Sequence, residues 1–407
     1  MASGHGGAKA QDLGPFARPN VSVLNRPHPE YDAAGIPQGA FTAFPKLQTT
    51  FQYESNIFAD QSDTSDTVWI VAPSVEIQSD WPRHQLTLSA GFEADRYNSH
   101  AILDTNSWNV ALAGRLDVLR SATLNLSGGY SRQVESKTSP NTQPGTSSPV
   151  TYDLGEAHVT GAYLGARTKL SGHLDFMDWR FDAARTDLGS IIPEDQRNHT
   201  QTSATGRADY AFSPNIAVFV EASADQRRYQ QKPPLVLLDR DSNGESVLVG
   251  SSFQITHVID GEVGVGYLRR GYDDPTAKTF SGVGARADVN WYVTPLITAT
   301  LGAARSVEDS GLPNVAGYVD NAVSVRADYE LLRNLILTAQ FRDASDRYVG
   351  IDRHDHRPFV ALRGSWLLNR RVGLGASYSH QEQHSDGPQR GVNFTDDKVG
   401  INLVLQY

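Results

Sequence analysis

Apolar side chains recur at every second position along most of this chain, and this periodicity constrains the fold more than any other feature. The clearest stretch is the carboxyl end, where Val399, Ile401, Leu403 and Leu405 alternate with polar or small residues. Successive side chains of a β-strand point to opposite faces, so the pattern predicts strands with one apolar and one polar face. The same period appears at residues 86–92, 108–118 and 323–331.

The chain contains no long apolar run. Hydrophobic residues make up 39% of its 407 residues, and no stretch approaches the roughly 18 consecutive apolar residues that a membrane-spanning helix needs. A helical membrane protein is therefore excluded. A closed β-barrel remains possible, because it also satisfies every backbone hydrogen bond inside a bilayer.

The connections between the alternating stretches fall into two length classes that alternate along the chain. Short turns lie at residues 80–83, 119–121, 167–170, 213–215, 257–260, 294–296, 333–334 and 369–371. Longer polar loops include residues 137–150, 189–197, 230–245, 309–314 and 385–391. Counting hairpins from Phe41 gives eighteen strands, with both chain ends on the short-turn side. The predicted fold is all-β: a transmembrane antiparallel β-barrel of about 18 strands, with short periplasmic turns and longer extracellular loops.

The first forty residues differ in character from the rest. They hold five prolines with little periodicity, namely Pro15, Pro19, Pro27, Pro29 and Pro37. We therefore expect residues 1–40 to form an extended periplasmic arm and residues 41–407 to form the outer-membrane barrel. Residues 1–10 are interpreted either as the remnant of a signal peptide or as residues added for expression, because Ala8-Lys9-Ala10 resembles a cleavage site.

Composition and motifs exclude several functions. The formal net charge of −10 and the scattered basic residues give no stripe suited to nucleic acid, so no nucleic-acid partner is expected. The absence of Cys excludes disulfides, zinc–thiolate sites and thiol nucleophiles. Since no catalytic or cofactor-binding motif is present, we expect neither enzymatic activity nor a cofactor, although a catalytic group assembled only in space stays open.

Aromatic residues cluster near both ends of the predicted strands. Tyr210, Phe212, Trp291, Tyr292, Tyr329 and Trp366 lie next to short turns, and Tyr97, Tyr130, Tyr229, Tyr267, Tyr348 and Tyr378 lie near long loops. Two such girdles are typical of the membrane interfaces of a barrel.

A small repeat marks the polar face of four strands. The form Arg-X-Asp occurs just before a short turn at Arg115 and Asp117, Arg207 and Asp209, Arg286 and Asp288, and Arg326 and Asp328. Residues two apart on a strand share a face, so the pairs are predicted to form a ring in the lumen near the periplasmic mouth, together with Arg363 and Glu221. The ring is either a constriction that screens solutes or a ladder of ion pairs that stiffens the wall. Its mixed charges suit an uncharged or weakly charged hydrophilic solute, such as a carbohydrate.

One segment partly matches a calcium-binding loop. Asp239, Asp241 and Asn243 occupy the first, third and fifth ligand places and Gly244 the sixth, but Gly250 stands where the bidentate Glu belongs. We therefore favour a surface turn, with these three residues as a weak calcium candidate and no other metal site.

Further motifs lie at turns and strand ends through nearly the whole chain. They include Asn25-Arg26-Pro27-His28-Pro29-Glu30-Tyr31-Asp32, Phe51-Gln52-Tyr53-Glu54-Ser55-Asn56-Ile57-Phe58, Ser79-Asp80-Trp81-Pro82-Arg83-His84, Glu330-Leu331-Leu332-Arg333-Asn334 and Leu367-Leu368-Asn369-Arg370. In these motifs the chain resembles the putative β-barrel porin 2 family of Gram-negative outer-membrane proteins. Members of that family are similar to barrels associated with exopolysaccharide production, so the resemblance implies an exit port for polysaccharide. It transfers no catalytic residue.

These observations lead to one expected function and two alternatives. The expected function is a channel for polysaccharide export in the outer membrane of a Gram-negative bacterium. Its partners would be outer-membrane lipid, the polysaccharide itself and a periplasmic export protein that binds the arm. The alternatives are a passive or sugar-selective diffusion porin, and a structural or adhesive barrel whose loops bind a surface ligand.

Overall fold

The computed structural model describes residues 20–143, 145–186, 188–256 and 258–407. Within them, eighteen long strands form one sheet that closes on itself. They are β1 Phe41–Glu54, β2 Asp66–Ser79, β3 Gln85–Tyr97, β4 Thr105–Leu119, β5 Ala122–Glu135, β6 Val150–Leu164, β7 Thr168–Phe181, β8 His199–Ser213, β9 Ile216–Tyr229, β10 Ser242–Ile255, β11 Ile259–Tyr272, β12 Phe280–Thr294, β13 Ile297–Asp309, β14 Gly317–Leu332, β15 Leu335–Tyr348, β16 His354–Leu367, β17 Val372–Asp386 and β18 Phe394–Gln406.

The barrel closes where the first strand meets the last. β1 pairs with β18 in antiparallel register, with Thr50 opposite Asn402, and every other strand pairs with its sequence neighbours. Closure leaves no unpaired sheet edge, which is the condition for placing strands in hydrocarbon. The predicted barrel of eighteen antiparallel strands is confirmed.

The remaining elements are short. Three 3₁₀ turns occupy Val23–Asn25, Ala101–Leu103 and Asp195–Arg197, and three short strands occupy Ile36–Gln38, Ala184–Arg185 and Ile191–Ile192. None of the helical segments in the described ranges is long and apolar enough to cross a membrane.

The two ends of the barrel differ in the length of their connections. Residues 120–121, 214–215 and 333–334 join strands at the end where β1 begins, which we call the short-turn end. Residues 136–149, 182–198 and 230–241 join them at the opposite end, the long-loop end. The predicted turn at 257–260 includes residue 257, which lies outside the described residues, as do residues 1–19 of the predicted arm.

Alternation places apolar side chains on the outside of the barrel. Val220, Val249 and Val265, on β9, β10 and β11, are 53%, 51% and 54% exposed, although Val is usually buried in a soluble protein. Their polar neighbours project inward. An apolar exterior around a polar interior is the arrangement expected of a barrel in a bilayer.

Half of the aromatic residues predicted to form the girdle at the long-loop end point into the lumen instead of toward the lipid. Tyr130, Tyr267 and Tyr378 stand exposed on the outside, whereas Tyr229 and Tyr348 are only 6% and 4% exposed and occupy inward positions. Tyr97 shares their inward parity at that end, as does Tyr292 at the other. Position along the chain indicated the height of these rings correctly, but only strand parity decides which side of the wall a ring occupies.

Candidate functional site: the barrel lumen

Three of the four Arg-X-Asp pairs form ion pairs within one strand. The nitrogen-to-oxygen distances are 3.0 Å for Arg115 and Asp117, 2.7 Å for Arg207 and Asp209, and 3.1 Å for Arg326 and Asp328. In each pair the two side chains lie two residues apart and project from the same face of the strand.

The fourth pair is different, because Arg286 contacts residues of other strands. Arg286 lies 3.1 Å from Glu221 and 2.7 Å from Glu262, and Arg207 lies 2.7 Å from Glu262 and 3.5 Å from Glu221. These four residues sit on β12, β9, β11 and β8, so their side chains meet across the concave inner surface. Asp288 has no ion pair with a described residue and stays exposed. We call Arg207, Glu221, Glu262 and Arg286 the lumenal charge cluster.

Glu262 is the member that the sequence interpretation missed. Its strand contains Gly261, Gly264 and Gly266, which weaken the alternation that would have identified its inward positions. The sequence pattern that could have identified Glu262 is the pair Val263 and Val265, which face outward. Because Glu262 has the opposite parity on the same strand, it must project into the lumen.

Arg363 stands apart from the lumenal charge cluster. It occupies an inward position of β16 and is exposed, and no carboxylate of the described chain lies within ion-pair distance of it. Among the residues predicted for the ring, the members of the lumenal charge cluster compensate one another, whereas Arg363 forms no ion pair with a described residue and lies near enough to Lys46 to repel it.

At the long-loop end, the loop of residues 136–149 crosses the lumen. The Asn141 Oδ1 atom accepts a hydrogen bond from Gly311 N at 2.9 Å, and the Pro140 carbonyl oxygen accepts one from Tyr348 Oη at 3.1 Å. This loop joins β5 to β6, whereas Gly311 follows β13 and Tyr348 ends β15, about half the barrel away. We call residues 136–149 the bridging loop.

The far end of the bridging loop rests on other ordered loops. Arg240 is 5% exposed and donates to the carbonyl oxygens of Ser310 and Leu312 at 3.0 and 2.6 Å. Leu312 in turn packs in a small buried cluster with Val315, Tyr318 and Tyr348. These contacts link the bridging loop, the loop that contains Arg240 and the loop that contains Leu312 into one assembly above the lumen.

The near end of the bridging loop is held by a buried charge pair. Arg197, 5% exposed, pairs with Glu135 at the end of β5 and with Glu194 at 3.2 Å, and its guanidinium lies 4.1 Å from the Phe181 ring centroid. Burial raises the pKa of the Glu194 carboxyl although Arg197 acts to lower it. Removing one partner of such a pair leaves the other charge buried and unpaired, so we expect single substitutions here to destabilise the loop assembly.

The linked loops line an open pocket of about 590 Å³ at the long-loop end. Its walls combine apolar and polar side chains, among them Ile192, Leu235, Leu238, Gln143, Gln231 and Arg240. A cavity of this size is comparable with the sites that hold small molecules in other proteins.

The calcium candidate residues have other partners. Lys232 Nζ lies 2.8 Å from Asp239 and 2.5 Å from Asp241, and Asn243 lies on β10 and accepts from Arg228. In the described part of the chain, no group of three or more His, Cys, Asp or Glu residues is placed to hold a metal ion.

At the short-turn end, the described part of the arm follows the rim of the barrel. Tyr31 accepts a hydrogen bond from Gln406, Pro29 accepts one from Arg370, and Arg26 pairs with Glu330 at 2.6 Å. Val23 is fully buried, and its backbone N–H donates to Thr298. The described part of the arm therefore lies along one side of the mouth, from β13 to β18.

Known proteins match the chain over nearly its whole length. The family described as putative beta-barrel porin 2 matches residues 28–407, which include every barrel strand and part of the arm. No curated protein matches.

Solved outer-membrane proteins resemble the chain at low sequence identity. The outer membrane protein OpdK from Pseudomonas aeruginosa is 12% identical, with a TM-score of 0.45 over 90% of this chain and 99% of its own. OccAB4 from Acinetobacter baumannii is 13% identical, with a TM-score of 0.46 over 94% and 100%. A BenF-like porin from Pseudomonas fluorescens Pf-5 is 13% identical, with a TM-score of 0.47 over 90% and 99%.

Proposed function

The chain belongs to the putative β-barrel porin 2 family, and on that premise we propose that it is a diffusion channel for small hydrophilic solutes. The family and the fold identify it as an outer-membrane β-barrel porin of a Gram-negative bacterium.

The observation that carries the proposal is the polar, largely charge-compensated lumen. The lumenal charge cluster combines two arginines with two glutamates, so its field is weak at a distance and it repels neither sign strongly. Rings of charged side chains set selectivity in pores. A balanced ring therefore favours neutral or weakly charged solutes that can exchange hydrogen bonds with it.

The bridging loop favours small solutes over a polymer. Asn141 and Pro140 reach the opposite wall and divide the passage at the long-loop end. A polysaccharide in transit would have to displace these contacts along its whole length, whereas a monosaccharide or amino acid could pass beside them. The family description names a porin and no polysaccharide, so export and an export partner on the arm remain predictions of the sequence.

Planar-bilayer conductance of the purified full chain tests this function. We expect a steadily open channel without any added protein, and liposome swelling rates that fall steeply with the size of the sugar. A channel that stays closed until a periplasmic export protein is added would contradict the proposal and would favour export. A barrel that never conducts, but whose loop deletions abolish surface attachment, would favour the adhesive alternative.

A further inference from the structure

One arginine stands at an outward position near the long-loop end of every upward strand from β3 to β15. Upward here means running from the short-turn end to the long-loop end. The seven residues are Arg96, Arg132, Arg180, Arg228, Arg269, Arg305 and Arg347, which we call the outer arginine row. Their outward parity follows from exposed apolar residues of the same strands. For example, Arg269, Arg305 and Arg347 follow Tyr267, Leu301 and Phe341 by two, four and six residues.

The seven downward strands beside them, the even-numbered strands from β2 to β14, contribute no basic residue at this height. Their corresponding outward positions hold Thr67, Asn106, Asp153, Thr200, Asn243, Ser281 and Asn321. The row therefore alternates guanidinium groups with hydroxyl, amide and carboxylate groups around the barrel. It lies beyond the exposed aromatic residues Tyr130, Tyr267 and Tyr378, which mark the membrane interface on this side.

Carboxylates compensate one part of the row. Arg132 lies 3.1 Å from Asp153, Arg180 lies 2.8 Å from Asp178, and Arg228 lies 3.6 Å from Asp273. On this side of the barrel, β5 to β9, the exterior is close to neutral.

The opposite part of the row is cationic. Arg269 is half exposed, and its carboxylate partner, Glu245, lies 4.0 Å away and is 68% exposed. Arg305 and Arg347 are exposed and form no ion pair or hydrogen bond with a described residue. The outward Asp343 in this region already pairs with His356 at 2.7 Å. We call Arg269, Arg305 and Arg347 the cationic sector.

We propose that the cationic sector binds the phosphate groups of the phosphorylated glycolipid in the outer leaflet. Long loops of outer-membrane barrels face outward from the cell, so the sector lies at the level of the outer-leaflet headgroups. Arginine forms bidentate hydrogen bonds with phosphate, and basic residues at a membrane surface attract anionic lipid. The partner is a lipid because strand parity places the three exposed side chains on the outer surface of the wall, which the surrounding leaflet contacts.

Lipid binding by the purified full chain in detergent tests the proposal. Three preparations would be compared: the native chain, the triple variant R269Q/R305Q/R347Q, and the control R120Q/R167Q/R333Q. The control removes three exposed arginines from the short-turn end. The probes are a bis-phosphorylated lipid A, its dephosphorylated form and inorganic phosphate.

The native chain and the control should bind phosphorylated lipid A, and the triple variant should bind it about a hundredfold more weakly, since each basic residue at an anionic surface strengthens binding about fivefold. A Lys variant at the same three positions should bind more tightly than the Gln variant, because the charges are kept, and less tightly than the native chain, because the bidentate hydrogen bonds are lost. Heat-dependent gel mobility would show that each variant is folded. Equal binding by the triple variant, equal binding of dephosphorylated lipid A, or full competition by inorganic phosphate at the lipid's concentration would each overturn the proposal.

Discussion

Tyr348 donates a hydrogen bond from its hydroxyl to the Pro140 carbonyl oxygen at 3.1 Å, although 208 positions separate the two residues in the chain. Tyr348 lies at the end of β15 and Pro140 in the loop after β5, so the contact spans the lumen from one wall toward the other. The bridging loop is therefore part of the lining of the pore. Its position depends on contacts with the opposite wall.

The first prediction concerns this bridge. The double variant Asn141→Ala with Tyr348→Phe should raise single-channel conductance and its noise, because both contacts with the far wall are lost. A typical intramolecular hydrogen bond contributes about 1 kcal/mol, so losing two shifts the loop's equilibrium about thirtyfold toward detached states. Thr142→Ala is the matched control, since among the described residues the Thr142 hydroxyl donates its hydrogen bond within the loop, to the Ser136 carbonyl oxygen. Unchanged conductance in the double variant would show that the bridge does not limit flow.

The second prediction concerns the arm. Val23 is fully buried and the chain has no Cys, so a Val23→Cys variant should react very slowly with a thiol reagent. Adding Arg26→Ala removes the ion pair with Glu330, which is 3% exposed, and should accelerate labelling markedly. Loss of one partner from a buried pair costs about 3–5 kcal/mol, and the 30% exposure of Arg26 places the cost below that range.

Leu24→Cys provides the control for labelling, because Leu24 is 43% exposed and should react quickly in either background. If Arg26→Ala left the reactivity of Cys at position 23 unchanged, the ion pair would not be what holds the arm against the rim.

The third prediction concerns ion selectivity. Replacing Glu221 and Glu262 with Gln removes both carboxylates that contact Arg286 and leaves Asp209 as the remaining ion-pair partner of Arg207 among the described residues. The channel should then prefer anions by about fivefold, since a unit charge about 4 Å from an ion in water is worth about 1 kcal/mol. Reversal potentials in a salt gradient measure the change. Glu245→Gln, on the outside of β10, should leave them as they are.

The fourth prediction concerns the lipid-facing wall. Val220→Arg places a charge in the apolar band and should destabilise the barrel in vesicles by about 2–4 kcal/mol. Thr205→Arg, at an inward position of the neighbouring strand, should cost far less because the guanidinium meets water. Denaturant unfolding in lipid vesicles compares the two. Equal destabilisation would mean that the inside and outside of the wall have been assigned wrongly.

Part of the lumen could be predicted from local sequence, and part could not. Parity alone placed Arg207, Glu221 and Arg286 on one face of their strands. It could not show that Arg286 bonds to Glu221 and Glu262 while Asp288 forms no ion pair with any residue that the structure describes. That choice depends on which side chains of strands three positions apart converge on a concave surface.

The sequence by itself determined the class of the protein: strands with one apolar and one polar face, eighteen of them, closing into a barrel of the putative β-barrel porin 2 family. It could do so because alternation and turn length are local properties that each strand carries alone. Only the tertiary structure decided that Tyr348 faces Pro140 across the lumen, that Arg26 reaches Glu330, and that Tyr229 points inward. These relationships depend on closure and strand register, which bring residues hundreds of positions apart together by geometry that no local pattern records.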